Sequence, residues 1–230
     1  MIKVVSFKIC PFVQRVTAAL EAKQIPYEIE YISLSNKPQW FLDVSPNGQV
    51  PLLITESGAA LFESDAIIEY IQDEFGPLEE GISNEQRALD RAWSYLGSKH
   101  YLAQCTTMRS SNEELLTERV ANLGKAFAKV EAQLVDGPFF KGESLSNVDM
   151  AWLPLLHRAH IIKAHTCFDM LEGFPKVQAW QQALLETGLM EKSVADDFEQ
   201  AFTGFYLSEQ TFLGAGKDCS DNGGCGTNCC

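Results

Sequence analysis

Cys10 is followed directly by Pro11, at the point where the β-branched pair Val4-Val5 and its neighbours give way to a helical pattern. Proline suits a first helical position because the N–H it lacks has no intrahelical partner anyway. The Cys10 sulfur is therefore expected at a first helical turn, against unpaired backbone N–H groups and the positive end of the helix dipole. Both favour thiolate over thiol. A partly exposed thiolate is the nucleophile that cysteine chemistry needs near neutral pH. The other reading of the local pattern is an inert buried cysteine. Position 13 is Val13, so no Cys-x-x-Cys pair exists here, and disulfide chemistry at Cys10 would be monothiol, with a small external thiol resolving it.

Other chemistry-bearing groups are sparser. Ser146-Asn147-Val148-Asp149 precedes the apolar run Met150-Ala151-Trp152-Leu153, a Ser-x-x-Asp capping box whose role is folding, so Asp149 reads as structural. Pro154 within that helix should kink it or mark tight packing. His157 and His160 are three apart on the same helix, but no acid or cysteine at helical spacing completes a metal set, which favours a surface or core role. Trp93, Tyr95 and Tyr101 recur at helical spacing and read as core and pocket wall. No Ser/His/Asp arrangement or glycine-rich phosphate loop is found. Cys219, Cys225, Cys229 and Cys230 offer four sulfurs near the end of the chain. Their spacing matches no Cys-x2-Cys knuckle and leaves three readings open: a metal site, reversible disulfides, or a flexible tail.

The elements that would position Cys10 alternate. After the first strand comes the helix opened by Pro11, with Val13, Val16, Thr17 and Leu20 at helical spacing, and then a half-buried strand over Tyr27 to Ile32. A short amphipathic piece around Lys37 to Leu42 leads to the turn cluster Ser45-Pro46-Asn47-Gly48. Val50-Pro51 and the apolar run Leu52-Leu53-Ile54 follow, then a Ser57-Gly58 hairpin turn into Ala60-Leu61-Phe62. A helix starts near Ser64 with Ile67, Ile68, Ile71 and Phe75 on one face. The order is βαβ followed by ββα. From about Glu85 strand signals stop, and segments such as Arg87 to Tyr101 and Asn112 to Val135 read as helices. The expected organisation is an α/β domain over 1–77, an all-helical domain over 84–205 and a tail over 206–230 that is Cys-rich from 219. The stretch from Gly214 onward is too small and polar to order itself unaided.

Composition narrows the function. A chain of 230 residues, 46% apolar, has room for a packed core. Its net charge of −13 repels phosphate backbones and anionic headgroups, so nucleic acid and membrane partners are not expected. No apolar run approaches the roughly eighteen residues of a spanning helix, and Met1 runs into Ile2-Lys3-Val4 without a cleavage signal. The expected compartment is the cytosol, where seven cysteines argue against a disulfide framework.

Cys10-Pro11-Phe12-Val13-Gln14-Arg15, Asn36-Lys37-Pro38-Gln39-Trp40-Phe41, Asn47-Gly48-Gln49-Val50-Pro51-Leu52-Leu53 and Phe62-Glu63-Ser64 together resemble the glutathione transferase family, in its omega-like class. The likeness implies a thioredoxin-like domain that binds glutathione and an all-α helical-bundle domain that supplies the co-substrate pocket, usually in a homodimer. It implies Cys10 as the nucleophile, with Phe12 beside it. A cis Val50-Pro51 would offer the Val50 N–H and C=O to the cysteinyl part of glutathione, although an ordinary strand-start proline fits the local pattern equally well. Ser64 would receive the γ-glutamyl carboxylate at a helix N-terminus, a role compatible with a plain N-cap. Glu63 would meet the α-ammonium and Lys37 the glycine carboxylate. The implied activity is glutathione-dependent thiol transfer or reduction, with weak conjugation to electrophiles as an adjunct and dehydroascorbate and aromatic S-glutathionyl ketones among the implied substrates. Glutathione is the co-substrate and no metal is required for the core activity. The rival reading is a non-catalytic regulatory or binding protein that keeps the fold.

Overall fold

The computed structural model describes residues 1–215. In the first third, β1 (Ile2–Ser6), α1 (Pro11–Ala22) and β2 (Tyr27–Tyr31) form a βαβ unit, and α2 (Gln39–Val44) leads to β3 (Leu52–Ile54), β4 (Ala60–Phe62) and α3 (Ser64–Phe75). The four strands make one mixed sheet in the order β2-β1-β3-β4. β1 pairs parallel with β2, as the α1 crossover requires, and antiparallel with β3, which returns through a hairpin to β4. That hairpin is held by Thr55, whose N–H donates to Ala59 O at 2.9 Å and whose Oγ1 accepts from the Ala59 N–H at 3.0 Å.

The second part is helical: α4 (Asn84–Ser98), α5 (Tyr101–Met108), α6 (Glu113–Gln133), α7 (Asn147–His165), α8 (Pro175–Glu186), α9 (Leu189–Lys192) and α10 (Phe198–Tyr206). The segment read as one helix from Arg87 to Tyr101 is divided, since α4 ends at Ser98 and α5 begins at Tyr101. α4 lies close against α7 because Gly97 carries no side chain there; a Cβ would stand 3.0 Å from the Trp152 indole nitrogen. Beyond α10 the chain turns back onto the bundle. Phe212 N–H donates to Ser110 O at 2.7 Å, and Thr211 and Leu213 are buried, so residues 207–215 pack against the helical part. The expectations for Cys219, Cys225, Cys229 and Cys230 lie outside the described residues.

One apolar core runs through both parts. It joins Val4 of β1, Val13, Val16 and Leu20 of α1 and Ile67, Ile68 and Ile71 of α3 to Trp152 and Leu156 of α7 and to Phe198 and Phe202 of α10. A smaller core on the other sheet face gathers Val5, Ile32, Phe41 and Leu52 beneath α2. Phe75, expected on the buried face of α3, is 42% exposed. As the last residue of its helix it projects past the core, with its ring edge against Tyr70.

Asp149 anchors the entry to α7. Its Oδ2 accepts from Ser146 N–H at 2.7 Å and Ser146 Oγ at 2.6 Å, and its Oδ1 accepts from Phe140 N–H at 2.8 Å and Trp180 Nε1 at 2.7 Å. The carboxyl is fully buried, and desolvation pushes its pKa up against these four donors, which pull it down. This is the structural role expected of the capping box. Pro154 is also buried within α7.

The two parts are further joined by a buried polar network. Gln14 of α1 accepts from Arg158 Nη1 at 2.5 Å through Oε1, and its amide nitrogen donates to His157 Nδ1 at 2.7 Å. His157 is therefore a core histidine held as an acceptor, and burial first, then the Arg158 charge, lower its pKa from 6.5 to about 3. The unfolded chain binds this proton below pH 6.5 while the folded chain excludes it down to about pH 3. Stability contributed by neutral His157 is thus complete above pH 6.5 and declines as pH falls toward 3, by up to about 1.4 kcal/mol per pH unit. Urea unfolding of the wild type and His157→Gln between pH 7 and 4 should show a flatter dependence in the variant; parallel curves would remove His157 as a source of the acid sensitivity.

Candidate active site

Cys10 forms the N-cap of α1 in an extended conformation, with Pro11 opening the helix. The turn is closed by Cys10 N–H donating to Phe7 O at 2.9 Å, and Gln14 N–H returns to Cys10 O at 3.1 Å. The sulfur is half-buried and receives the backbone N–H groups of Val13 and Phe12, the helix-terminus donors expected at this position. The expected direction of the thiol pKa is nevertheless corrected. Desolvation outweighs the pull of Val13, Phe12 and Arg158, Cys105 adds to the upward push, and the free thiol titrates above its ordinary value.

The remaining sequence-selected residues converge on this sulfur. Cys10, Phe12, Lys37, Val50, Pro51, Glu63 and Ser64 all line one cleft of about 320 Å³, within the size range of small-molecule sites. The Val50-Pro51 bond is cis, and the β1–β3 ladder stops at Leu52, leaving Val50 outside it at the cleft wall. Glu63 adopts a positive φ of 66° as the residue that caps α3, and no side chain closes the cap. The N–H groups of the first α3 turn, beginning at buried Ser64, thus have no side-chain acceptor at the cap. Such an end attracts a carboxylate. Asp65, in the same turn, is engaged elsewhere, in an ion pair with buried Arg15 of α1. Lys37 Nζ donates to Gly48 O at 2.7 Å, which ties the loop before α2 to the loop before β3.

Other wall residues carried weaker signals. Asn47, Gly48 and Gln49 line the cleft beside Leu34 and Leu102. Asn47 reaches across it, donating through Nδ2 to Glu63 Oε1 at 2.8 Å while its Oδ1 accepts from Gln49 N–H at 3.1 Å. The Asn47-Gly48 turn was visible as a turn, but its reach to Glu63 was not. Leu34 and Leu102 are exposed leucines in unremarkable contexts, and only the approach of α5 to α1 brings Leu102 over the cleft. The same approach sets the Phe12 ring edge-on to Tyr101, 5.0 Å between centroids. Tyr101 is fully buried, with its hydroxyl donating to Ala151 O, while Trp93 packs on Phe140. Among the described residues no group of three or more His, Cys, Asp or Glu could hold a metal.

A thioredoxin-like sheet whose Cys-Pro turn, cis-proline loop and open helix N-terminus face one cleft, backed by a helical domain, defines a glutathione-binding class of protein. Comparison with known families agrees. Residues 9–74 match the glutathione S-transferase N-terminal domain and residues 113–183 its C-terminal domain. Glutathione S-transferase omega-1 of Sus scrofa is 31% identical over 81% of this chain and 77% of its own length. Glutathione S-transferase DHAR2 of Arabidopsis thaliana is 30% identical over 81% of this chain and 84% of its own. The crystal structure of glutathione transferase Omega 3C from Trametes versicolor superimposes with a TM-score of 0.71 at 27% identity, covering 85% of this chain and 89% of that one. The chain belongs to the glutathione S-transferase family and is omega-like.

Proposed function

We propose that this protein is a glutathione-dependent thiol transferase and reductase in which Cys10 is the nucleophile. The observation that carries the reading is the convergence of Cys10, Lys37, Val50, Pro51, Glu63 and Ser64 on one cleft, supported by the similarity to omega-1 and DHAR glutathione transferases. In the forward step the Cys10 thiolate attacks the glutathionyl sulfur of a mixed disulfide, forming a Cys10–glutathione disulfide and expelling the substrate as its thiolate. A glutathione thiolate then attacks the glutathionyl sulfur, releasing glutathione disulfide and restoring Cys10. For each mixed disulfide one free glutathione is consumed, the other half of the glutathione disulfide coming from the substrate, whereas a two-electron reduction of dehydroascorbate would oxidise two free glutathiones.

In this reading Val50 pairs its backbone with the cysteinyl residue of glutathione beside cis Pro51, and Phe12 walls the thiol. Ser64 and the first α3 N–H groups receive the γ-glutamyl carboxylate, Glu63 meets the α-ammonium, and Lys37 turns from Gly48 O to the glycine carboxylate. Leu34 and Leu102 border the second-substrate side. The finer reading includes a cytosolic location and a homodimer, for which exposed Phe62 on β4 and Leu89 on α4 are available apolar contacts. No helix among the described residues is long and apolar enough to cross a membrane.

The reading is tested by glutathione-coupled reduction of a small mixed disulfide and of dehydroascorbate, with glutathione varied. The wild type should turn over both. Ser64→Ala should raise the glutathione KM about tenfold, as expected for loss of one hydrogen bond to a charged group, with a smaller change in kcat. Retention on a glutathione matrix without turnover of either substrate would favour a non-catalytic binding protein instead.

A further inference from the structure

Glu63 caps α3 at a φ of 66°, a left-handed backbone that is uncommon for a non-glycine residue. Its carboxylate belongs to the residue just before the open N–H groups of the first α3 turn, and an anion near a helix N-terminus is drawn to such groups. Glu63 nevertheless makes no side-chain cap hydrogen bond. Its Oε1 accepts instead from Asn47 Nδ2 at 2.8 Å, the one hydrogen bond of the Glu63 side chain among the described residues.

Asn47 is oriented for this contact. Its Oδ1 accepts from Gln49 N–H at 3.1 Å and from Ser45 Oγ at 3.4 Å, so the oxygen is turned into its own loop and the amide nitrogen, which can only donate, faces Glu63. The loop is fixed in turn by Gly48 N–H, which donates to Ser45 O at 3.1 Å, and by Lys37 Nζ on Gly48 O at 2.7 Å. One turn thus touches both charged side chains of the cleft wall, Lys37 and Glu63, before the chain runs into Val50 and cis Pro51.

Holding Glu63 at Asn47 has two consequences. The α3 N-terminus keeps its N–H groups for the carboxylate of a ligand, and Glu63 keeps Oε2 for a cation beside it. A carboxylate and an ammonium carried on one carbon, a free α-amino acid group, use both.

We propose that Asn47 is a positioning residue that holds Glu63 away from the α3 N-terminus and so makes the cleft selective for a thiol bearing a free α-amino acid group. The proposal rests on the glutathione reading above, in which that group is the γ-glutamyl end, and adds the residue that sets the selectivity. Asn47 acts through Glu63, so the exchange steps at Cys10 are the same with or without it.

Calorimetric binding to the full chain tests this with two ligands: S-methylglutathione, and the same molecule with hydrogen in place of its α-ammonium group. Neither needs turnover, so the outcome is separate from that of the reductase assay. The wild type should prefer the ammonium-bearing ligand about tenfold or more. Asn47→Ser keeps an oxygen for the Gln49 N–H but is too short to reach Glu63. It should weaken S-methylglutathione about fivefold, the scale of fixing one long side chain on binding, and leave the des-amino ligand unchanged. Glu63→Gln should remove most of the preference, and Asn47→Ser added to it should weaken S-methylglutathione no further. An unchanged preference in Asn47→Ser overturns the proposal, as does equal weakening of both ligands, the mark of a turn with a structural role only. A wild type that binds both ligands equally overturns the proposal and leaves the glutathione reading standing, whereas one that binds neither overturns both.

Discussion

Cys10→Ser is expected to lose glutathione-dependent disulfide reduction by at least about a thousandfold, the scale seen when a covalent nucleophile is removed. A serine hydroxyl does not ionise near neutral pH and forms no disulfide, so the mixed-disulfide intermediate disappears. The cleft itself is left intact, because the turn is closed by the Cys10 backbone and a serine oxygen can accept the Val13 and Phe12 N–H groups in place of the sulfur. Glutathione should therefore still bind. Serine keeps a small donor at the helix terminus that can stabilise a bound glutathione thiolate, so Cys10→Ser should gain conjugation to a chlorinated aromatic electrophile, while Cys10→Ala should lose reduction without that gain. Steady-state rates for the three proteins with both substrates make the comparison. Equal reduction by all three would remove Cys10 as the nucleophile.

Asp149→Ala should be the most damaging change to stability that leaves the cleft untouched. It strips the acceptor from four buried donors, Ser146 N–H, Ser146 Oγ, Phe140 N–H and Trp180 Nε1. Each buried donor left unpaired costs about 1–3 kcal/mol, and partial relaxation of the loop before α7 brings the expected total to about 3–5 kcal/mol. The loss should appear as a lower urea midpoint at unchanged slope. Asp149→Asn, which keeps one strong acceptor, should lie between. Specific activity of the folded fraction should stay near wild type, since Asp149 is absent from the cleft wall. A stable Asp149→Ala with reduced turnover would reverse the assignment and make this carboxyl part of the chemistry.

The elements around Cys10 were legible because each announces itself locally. Pro11 marks a helix start, Ser57-Gly58 a hairpin, and the Ile67, Ile68 and Ile71 spacing a helix with one buried face, and all three are present. The cleft residues were legible for a different reason: Cys10-Pro11, Val50-Pro51 and Glu63-Ser64 are short motifs whose resemblance to a family carried them, and Cys10, Val50, Pro51, Glu63 and Ser64 all line the cleft. Phe75 shows where periodicity fails. Spacing places it on the apolar stripe, but a helix end protrudes beyond the layer that the stripe faces.

What the sequence by itself determined is therefore the order of strands and helices around Cys10 and the capping of α7, both of which depend on neighbours within a few positions. What only the tertiary structure decided is the environment that sets the chemistry of the cleft. The helix terminus favours the Cys10 thiolate over one helical turn, yet the sulfur also feels Cys105 and Arg158, residues of the helical part that no local pattern brings together with it. Burial and buried charge are sums over everything the folded chain brings close, and for Cys10 those sums outweigh the local contribution of its own helix.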